Sequence, residues 1–205
     1  MAKIAVDMDG TIANFTDASF KKVGELYGIH MTKEDAYKPK TAQLVWERMT
    51  DEQKSKYNDC NELYGEICDK GFFESIKPFP GAIEAVHAIH NMGHEIFFLT
   101  KTLNWDRSAP EKAVWLEKYF PKMPYKIIMV DNVHCKHIIN ANVFIDDDPR
   151  VLEGVTGFPI CIAQPWNESA RMDGYLGEVA YHMQEAVEIL QKLAPMMDWW
   201  DNNGF

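Results

Sequence analysis

Cationic residues are scarce in this 205-residue chain: 21 Lys and Arg stand against 31 Asp and Glu, a formal net charge of -10. Phosphate backbones are held by clustered Lys and Arg, so the balance argues against a nucleic-acid polymer as partner. A small phosphorylated molecule needs only a few local cations and stays allowed. Long apolar runs are missing as well. No stretch approaches the roughly 20 apolar residues of a membrane helix, and Met1-Ala2-Lys3 leads straight into a core strand, so neither a membrane partner nor a signal peptide is expected. Cysteine is sparse. Cys60, Cys68, Cys135 and Cys161 lack paired metal-site spacing and are too few for a disulfide framework in a chain this long, which points to the reducing cytoplasm. Repeats and low-complexity tracts are absent, and a homodimer is left open.

What is present suffices for a core: 46% hydrophobic and 25% charged residues fit one globular domain, with or without an inserted subdomain. The stretch that organises the chain is Ile4-Ala5-Val6-Asp7-Met8-Asp9-Gly10-Thr11. Residues two apart on a strand share a side, so Asp7 and Asp9 can converge at the carboxyl end of a buried strand. An acidic turn is the plain alternative.

From Thr16 to Ile76 the pattern is helical, with Phe20, Val23, Leu26 and Tyr27 as one stripe and Leu44, Val45, Arg48 and Met49 as a weaker one. This reads as a helical cap over the carboxylates, residues 16–76, set into a core of 1–15 and 77–205. Then helices and buried strands alternate. Ala82, Ile83, Val86 and Ile89 form a helix stopped by Gly93; strands are expected at 95–100, 125–130, 142–145 and, weakened by Pro159, 158–163. Ala109 to Tyr119 is a helix with Val114, Trp115 and Leu116 inward. A last helix runs from Tyr175 to Leu193, with Leu176, Val179, Met183, Val187 and Leu190 on one face, before a tail carrying Trp199-Trp200. Continuous apolar strands separated by helices imply an α/β, doubly wound parallel sheet.

Polar residues sit where these strands end or the next helix begins: Asp7 and Asp9, Thr100, Lys136, and Asp146 with Asp147. Each alone has a dull reading, as a cap, a solvated charge or a turn. Parallel strands, however, deliver their carboxyl ends to one edge. Several carboxylates in one place call for a cation, and all-oxygen ligands suit Mg²⁺. Asp7 and Asp146 would bind it, helped by a main-chain carbonyl near Asp9. Lys136, Thr100 and main-chain amides after Asp9 would hold a phosphoryl group. One of Asp7 and Asp9 would be a nucleophile and the other a proton carrier.

This ordered set resembles the four motifs of the haloacid dehalogenase superfamily of phosphohydrolases. The resemblance implies a Rossmann-like core, Asp7 as nucleophile, Asp9 as acid/base, Thr100 and Lys136 as phosphate binders, and Asp146 with Asp147 beside Asp7 and Asp9 at Mg²⁺. Gly71-Phe72-Phe73, Pro78-x-Pro80-Gly81-Ala82, Glu111-Lys112-x-x-Trp115 and Ile145-Asp146-Asp147 further resemble the 5'(3')-deoxyribonucleotidases. That narrower match implies a Mg²⁺-dependent hydrolase of deoxynucleoside monophosphates, 5' and also 3', with Lys112 as a second phosphate cation and cap aromatics around the base. Lys101, where the family usually has Ser, is counted with the phosphate binders. Phe15 and Phe73 are the pocket residues expected, chosen from a set that also held Trp46, Tyr64, Phe72 and Trp105. Two other readings stay open: a phosphatase of another small metabolite, and a receiver-like module that binds Mg²⁺ and phosphate without turnover. His134-Cys135-Lys136-His137 and His87, His90 and His94 are set aside as metal sites for want of a complete ligand set.

Overall fold

Six short strands, all parallel, run in the order β3-β2-β1-β4-β5-β6. The computed structural model describes residues 1–203 apart from 39, 103, 104, 174 and 176, and the side chains as far as 195. The strands are β1 (Lys3–Val6), β2 (Glu95–Lys101), β3 (Lys126–Val130), β4 (Val143–Asp146), β5 (Phe158–Ile162) and β6 (Glu178–Ala180). Val6 registers with Phe98 on one side and Ile145 on the other, so β1 lies inside the sheet and is buried from Ile4 to Val6. The chain steps outward from β1 to β2 and β3, then crosses back to β4. This reversal opens a crevice beyond the carboxyl ends of β1 and β4, where open α/β sheets bind ligands.

Between β1 and β2 come α1 (Phe15–Tyr27), α2 (Thr41–Arg48), α3 (Asp51–Lys54), α4 (Cys60–Ile67), α5 (Phe72–Ser75) and α6 (Ala82–Asn91). Asn14 caps α1 by accepting from the Asp17 amide, and Gly28 ends it in the left-handed conformation. Phe20, Val23, Leu44, Val45 and Met49 are buried as their spacing predicts, but Leu26 is 40% exposed and leaves the stripe. The later helices are α7 (Ser108–Tyr119), α8 (Pro149–Leu152), α9 (Glu168–Met172) and α10 (Met183–Asn203). In α7, Trp115 and Leu116 point inward, while Val114 is 47% exposed on the opposite side.

The expected helix over 175–193 is corrected. Residues 178–180 form β6, pairing with β5 through Cys161 and Val179, and α10 starts only at Met183. A three-residue strand is too short to show alternation, and Val179 happens to fall in helical step with Met183, Val187 and Leu190. Leu176 lies outside the described residues, as do the side chains of the tail tryptophans. Pro159 is tolerated inside β5. Phe158 donates to Asn142 on the β4 side, and the β6 ladder begins only at Ile160, so no partner awaits an amide at Pro159. Among the described residues, no helix is long and apolar enough to cross a membrane.

Candidate active site

The end of β1 is fixed before its side chains act. The Asp7 amide donates to the Ile145 carbonyl at 2.9 Å, and the chain then turns sharply, with the Ile12 and Ala13 amides returning to the Met8 carbonyl at 2.9 and 2.8 Å. Gly10 permits the turn with φ +88°, and a Cβ there would lie 2.5 Å from Asp147 Oδ2. Gly10→Ala is therefore expected to lower stability by about 1–3 kcal/mol and to push Asp147 aside; a urea melt with and without Mg²⁺ reads both. This geometry corrects one expectation. The Gly10 amide donates to Ala13 at 2.9 Å, and those of Thr11 and Ile12 to Met8, so the amides just after Asp9 hold the loop together rather than face a ligand.

Three strand or loop ends meet at the crevice. Carboxylate oxygens of Asp7, Asp146 and Asp147, all buried, lie within 4.8 Å of one another. Lys136, buried on the turn Val133–Ile138, donates from Nζ to Asp7 Oδ1 at 2.6 Å and to Asp146 Oδ2 at 2.7 Å. The other Asp146 oxygen accepts the Asp148 amide at 2.9 Å, and Asp147 Oδ2 accepts Trp166 Nε1 at 2.5 Å. Asp7 Oδ2 and Asp147 Oδ1 are left without a protein donor among the described residues.

One ammonium among three carboxylates leaves an excess of buried negative charge. Burial, with Asp146 and Asp9 nearby, pushes Asp7 up to about 7 despite Lys136. Burial raises Asp146 too, and burial with Asp146 and Asp7 raises Asp147 well above the carboxylate range. Burial works against the Lys136 ammonium, but Asp146 and Asp7 outweigh it and hold its pKa above the ordinary lysine value. The donor set fits a divalent cation: hard, all-oxygen, anionic and short of positive charge. The sign for stability follows. Folded-state values above the unfolded 3.8 mean stability fully present below about pH 4 and lost as pH rises through about 7. Without metal, the melting temperature is expected to fall between about pH 5 and pH 8, and Mg²⁺ to restore it at the upper end. Thermal melts in chelator and in Mg²⁺ across that range test this; a flat chelator profile would count against it.

Asp9, also a metal candidate from the sequence, is not in that group. Its Oδ2 accepts from Lys112 Nζ at 2.5 Å, and Lys112, nearly fully buried on α7, also donates to Thr100 Oγ1 at 2.9 Å and the Lys101 carbonyl at 2.6 Å. A lysine has three donors. All three are engaged, so in this arrangement Lys112 holds Asp9 and the end of β2 rather than offering a bond to a phosphate. Thr100 is wholly buried and keeps its hydroxyl hydrogen to donate. The Lys101 side chain lines the cavity, and burial together with Arg150 and Lys136 lowers its pKa.

That cavity measures about 800 Å³, with Asp7, Asp9, Asp146 and Asp147 at its floor. Phe15 and Phe73 line it, their rings stacked at 6.1 Å and 24°, and Tyr64 stacks on Phe15 at 6.0 Å. Phe72 meets Phe15 edge-on, Trp46 packs against the core, and Trp105 is exposed and outside the lining. Sequence reasoning missed Gln164, Trp166 and Asn167. Gln164 Nε2 donates to the Gly10 carbonyl at 2.7 Å, and Asn167 Nδ2 donates to the Asp147 carbonyl at 2.7 Å. They follow β5, so the strand-end rule that singled out the aspartates would have found them.

Comparison with known proteins agrees with this geometry. The family model described as 5' nucleotidase, deoxy (pyrimidine), cytosolic type C protein matches residues 1–192. The mouse 5'(3')-deoxyribonucleotidase, mitochondrial, is 26% identical over 164 residues, 73% of this chain and 66% of that protein. A Bacillus cereus protein provisionally named a nucleotidase is 28% identical over 168 residues, 77% of this chain and 82% of its own length. Among solved structures, a haloacid dehalogenase-like hydrolase from Streptococcus pneumoniae superposes with a TM-score of 0.61 at 13% identity, over 93% of this chain and 98% of that one. These findings set the receiver-like alternative aside in favour of a phosphoric monoester hydrolase with a Rossmann-like sheet. The chain belongs to the type C deoxy-5'-nucleotidase family, and it shares its fold with the haloacid dehalogenase-like hydrolase.

Proposed function

We propose that the protein hydrolyses deoxynucleoside monophosphates through a phosphorylated Asp7, with Mg²⁺ as cofactor. The observation that carries the chemistry is the buried Asp7 carboxylate at the β1/β4 crevice, one oxygen held by Lys136 and the other without a protein donor. That second oxygen attacks phosphorus, the bond to the departing oxygen breaks, and Asp9 supplies the proton that makes it an alcohol. Water then attacks the phosphoaspartate, giving its proton to Asp9 and releasing phosphate. Lys136 and the Thr100 hydroxyl support the phosphoryl group, with Lys101 at the cavity wall. Asp7, Asp146 and Asp147 would hold Mg²⁺, which supplies charge neutralisation for the phosphoryl oxygens. Asp9 must leave Lys112 to reach the departing oxygen, because the Lys112 ammonium occupies its Oδ2 at 2.5 Å.

The nucleoside half of the reading rests on family membership and on the Phe15, Phe73 and Tyr64 rings, since every base offers a π-face. The mouse relative's name covers 5' and 3' phosphates, and we extend both to this chain. Residues 16–76 would act as the cap that sets substrate choice over the core of 1–15 and 77–205. The free thiols of all four cysteines suit a cytoplasmic setting. The test is phosphate release from a panel of nucleoside, deoxynucleoside and sugar monophosphates, with Mg²⁺ and with chelator. Mg²⁺-dependent turnover led by deoxynucleotides is expected; turnover of sugar phosphates alone would replace the substrate class.

A further inference from the structure

Glu111 sits one residue before Lys112 on α7, yet it takes no part in the steps above. It is 9% exposed, and each of its carboxylate oxygens accepts a backbone amide from the segment that returns from the cap. Gly71 donates to Oε1 at 2.7 Å and Phe73 to Oε2 at 3.0 Å. One helical turn later, Trp115 Nε1 donates to the Ile76 carbonyl at 2.7 Å. Positions i and i+4 share a helix face, so α7 pins both ends of residues 71–76. The same first turn of α7 carries Lys112, whose ammonium holds Asp9 and lies 5.2 Å from the centre of the Phe73 ring.

An isolated four-residue helix cannot fix its own orientation, because nucleation costs more than so few bonds return. The direction of α5 (Phe72–Ser75), and with it the Phe73 ring, is therefore set from outside. A charged acceptor taking two amides is the strongest of the contacts that do so. Glu111 is thus placed to decide, through the Phe73 backbone amide, where the aromatic wall stands relative to the carboxylate floor.

We propose that Glu111 is a positioning residue for substrate selectivity: it locks Phe73 against Phe15 in register with Asp9, so that binding of the nucleoside part depends on it while the chemistry at phosphorus does not. This rests on the nucleotide reading given above. Glu111→Gln keeps the shape but presents its amide NH2 to one of the two backbone donors, leaving that donor facing another donor.

The experiment compares the wild type with Glu111→Gln and Glu111→Asp on a deoxynucleoside monophosphate and on para-nitrophenyl phosphate, which has no base and no sugar. For Glu111→Gln, KM for the nucleotide is expected to rise about tenfold with kcat within about twofold, while kcat/KM for the aryl phosphate stays within about twofold. Amide exchange at Gly71 and Phe73 is expected to quicken in Glu111→Gln relative to β1. Glu111→Asp, which keeps the charge, should recover part of the nucleotide KM. Equal losses on both substrates, an unchanged nucleotide KM, or loss of cooperative melting in both variants would overturn the proposal. Failure of the nucleotide reading shows elsewhere, as a wild type that turns over no nucleotide. The selectivity split is then read on whichever bulky phosphate the wild type prefers.

Discussion

Asp7→Asn is expected to lower phosphate release by about four to six orders of magnitude, the scale seen when a nucleophile is removed from residues that act as a unit. The side-chain amide keeps the shape of the carboxylate, and the hydrogen bond from the Asp7 backbone N–H to the Ile145 carbonyl is untouched by the change. What goes is the oxygen that carries the negative charge. The same substitution should not harm the metal-free fold. Asp7 is one of three buried carboxylates within 4.8 Å of one another, and burial already pushes it up to about 7. Removing its charge leaves Lys136 paired with Asp146 at 2.7 Å. In chelator near pH 8 the variant should melt at the wild-type temperature or above it, a case of function held at a cost in stability. Phosphate release beside a thermal melt checks both halves. A variant that is inactive because it is unfolded would contradict the reasoning.

Lys136→Met should do the opposite to stability. It removes the ammonium that bridges Asp7 and Asp146 and leaves three carboxylates within 4.8 Å of one another. Breaking a buried pair from one side strands the other charge, at about 3–5 kcal/mol. The urea midpoint in chelator is expected to fall accordingly, and to recover in part when Mg²⁺ is added, since the cation replaces the missing positive charge. Activity should not recover with it. A phosphoryl group would lose its buried lysine partner, and a loss of at least about a thousandfold is expected. Measuring midpoint and turnover in the same Mg²⁺ titration separates the two roles; joint recovery would show Lys136 to be structural alone.

The parts of the site written locally in the chain were legible. Asp7, Asp9, Asp146 and Asp147 follow buried strands directly, so strand period and the strand-end rule suffice, and the crevice between β1 and β4 brings three of them together. Lys136 and Thr100 come by the same logic. What was not legible depends on which surfaces meet. Lys112 reads as a phosphate cation, yet its three donors are engaged by Asp9, Thr100 and the Lys101 carbonyl, and only the packing of α7 on the sheet edge decides that. Trp166 follows β5 but was not marked, and its indole hydrogen bond to Asp147 appears only in three dimensions. β6 was lost to its length, and Val114 to a helical stripe drawn one residue too wide. The aromatic wall was half found. Phe15 and Phe73 follow from their places beside the loop and the cap return, whereas Tyr64 was no more marked than Trp105, which lies in the open.

The phosphoaspartate itself is the most direct thing to look for. Wild-type protein mixed with a deoxynucleoside monophosphate and Mg²⁺, quenched in acid within the first turnovers and digested with trypsin, should give a peptide spanning residues 4–21 heavier by one phosphoryl group, with the added mass on Asp7. The label should be absent from Asp7→Asn. Free phosphate released in full measure with no phosphorylated peptide at any quench time, or the label on Asp9 instead, would contradict it.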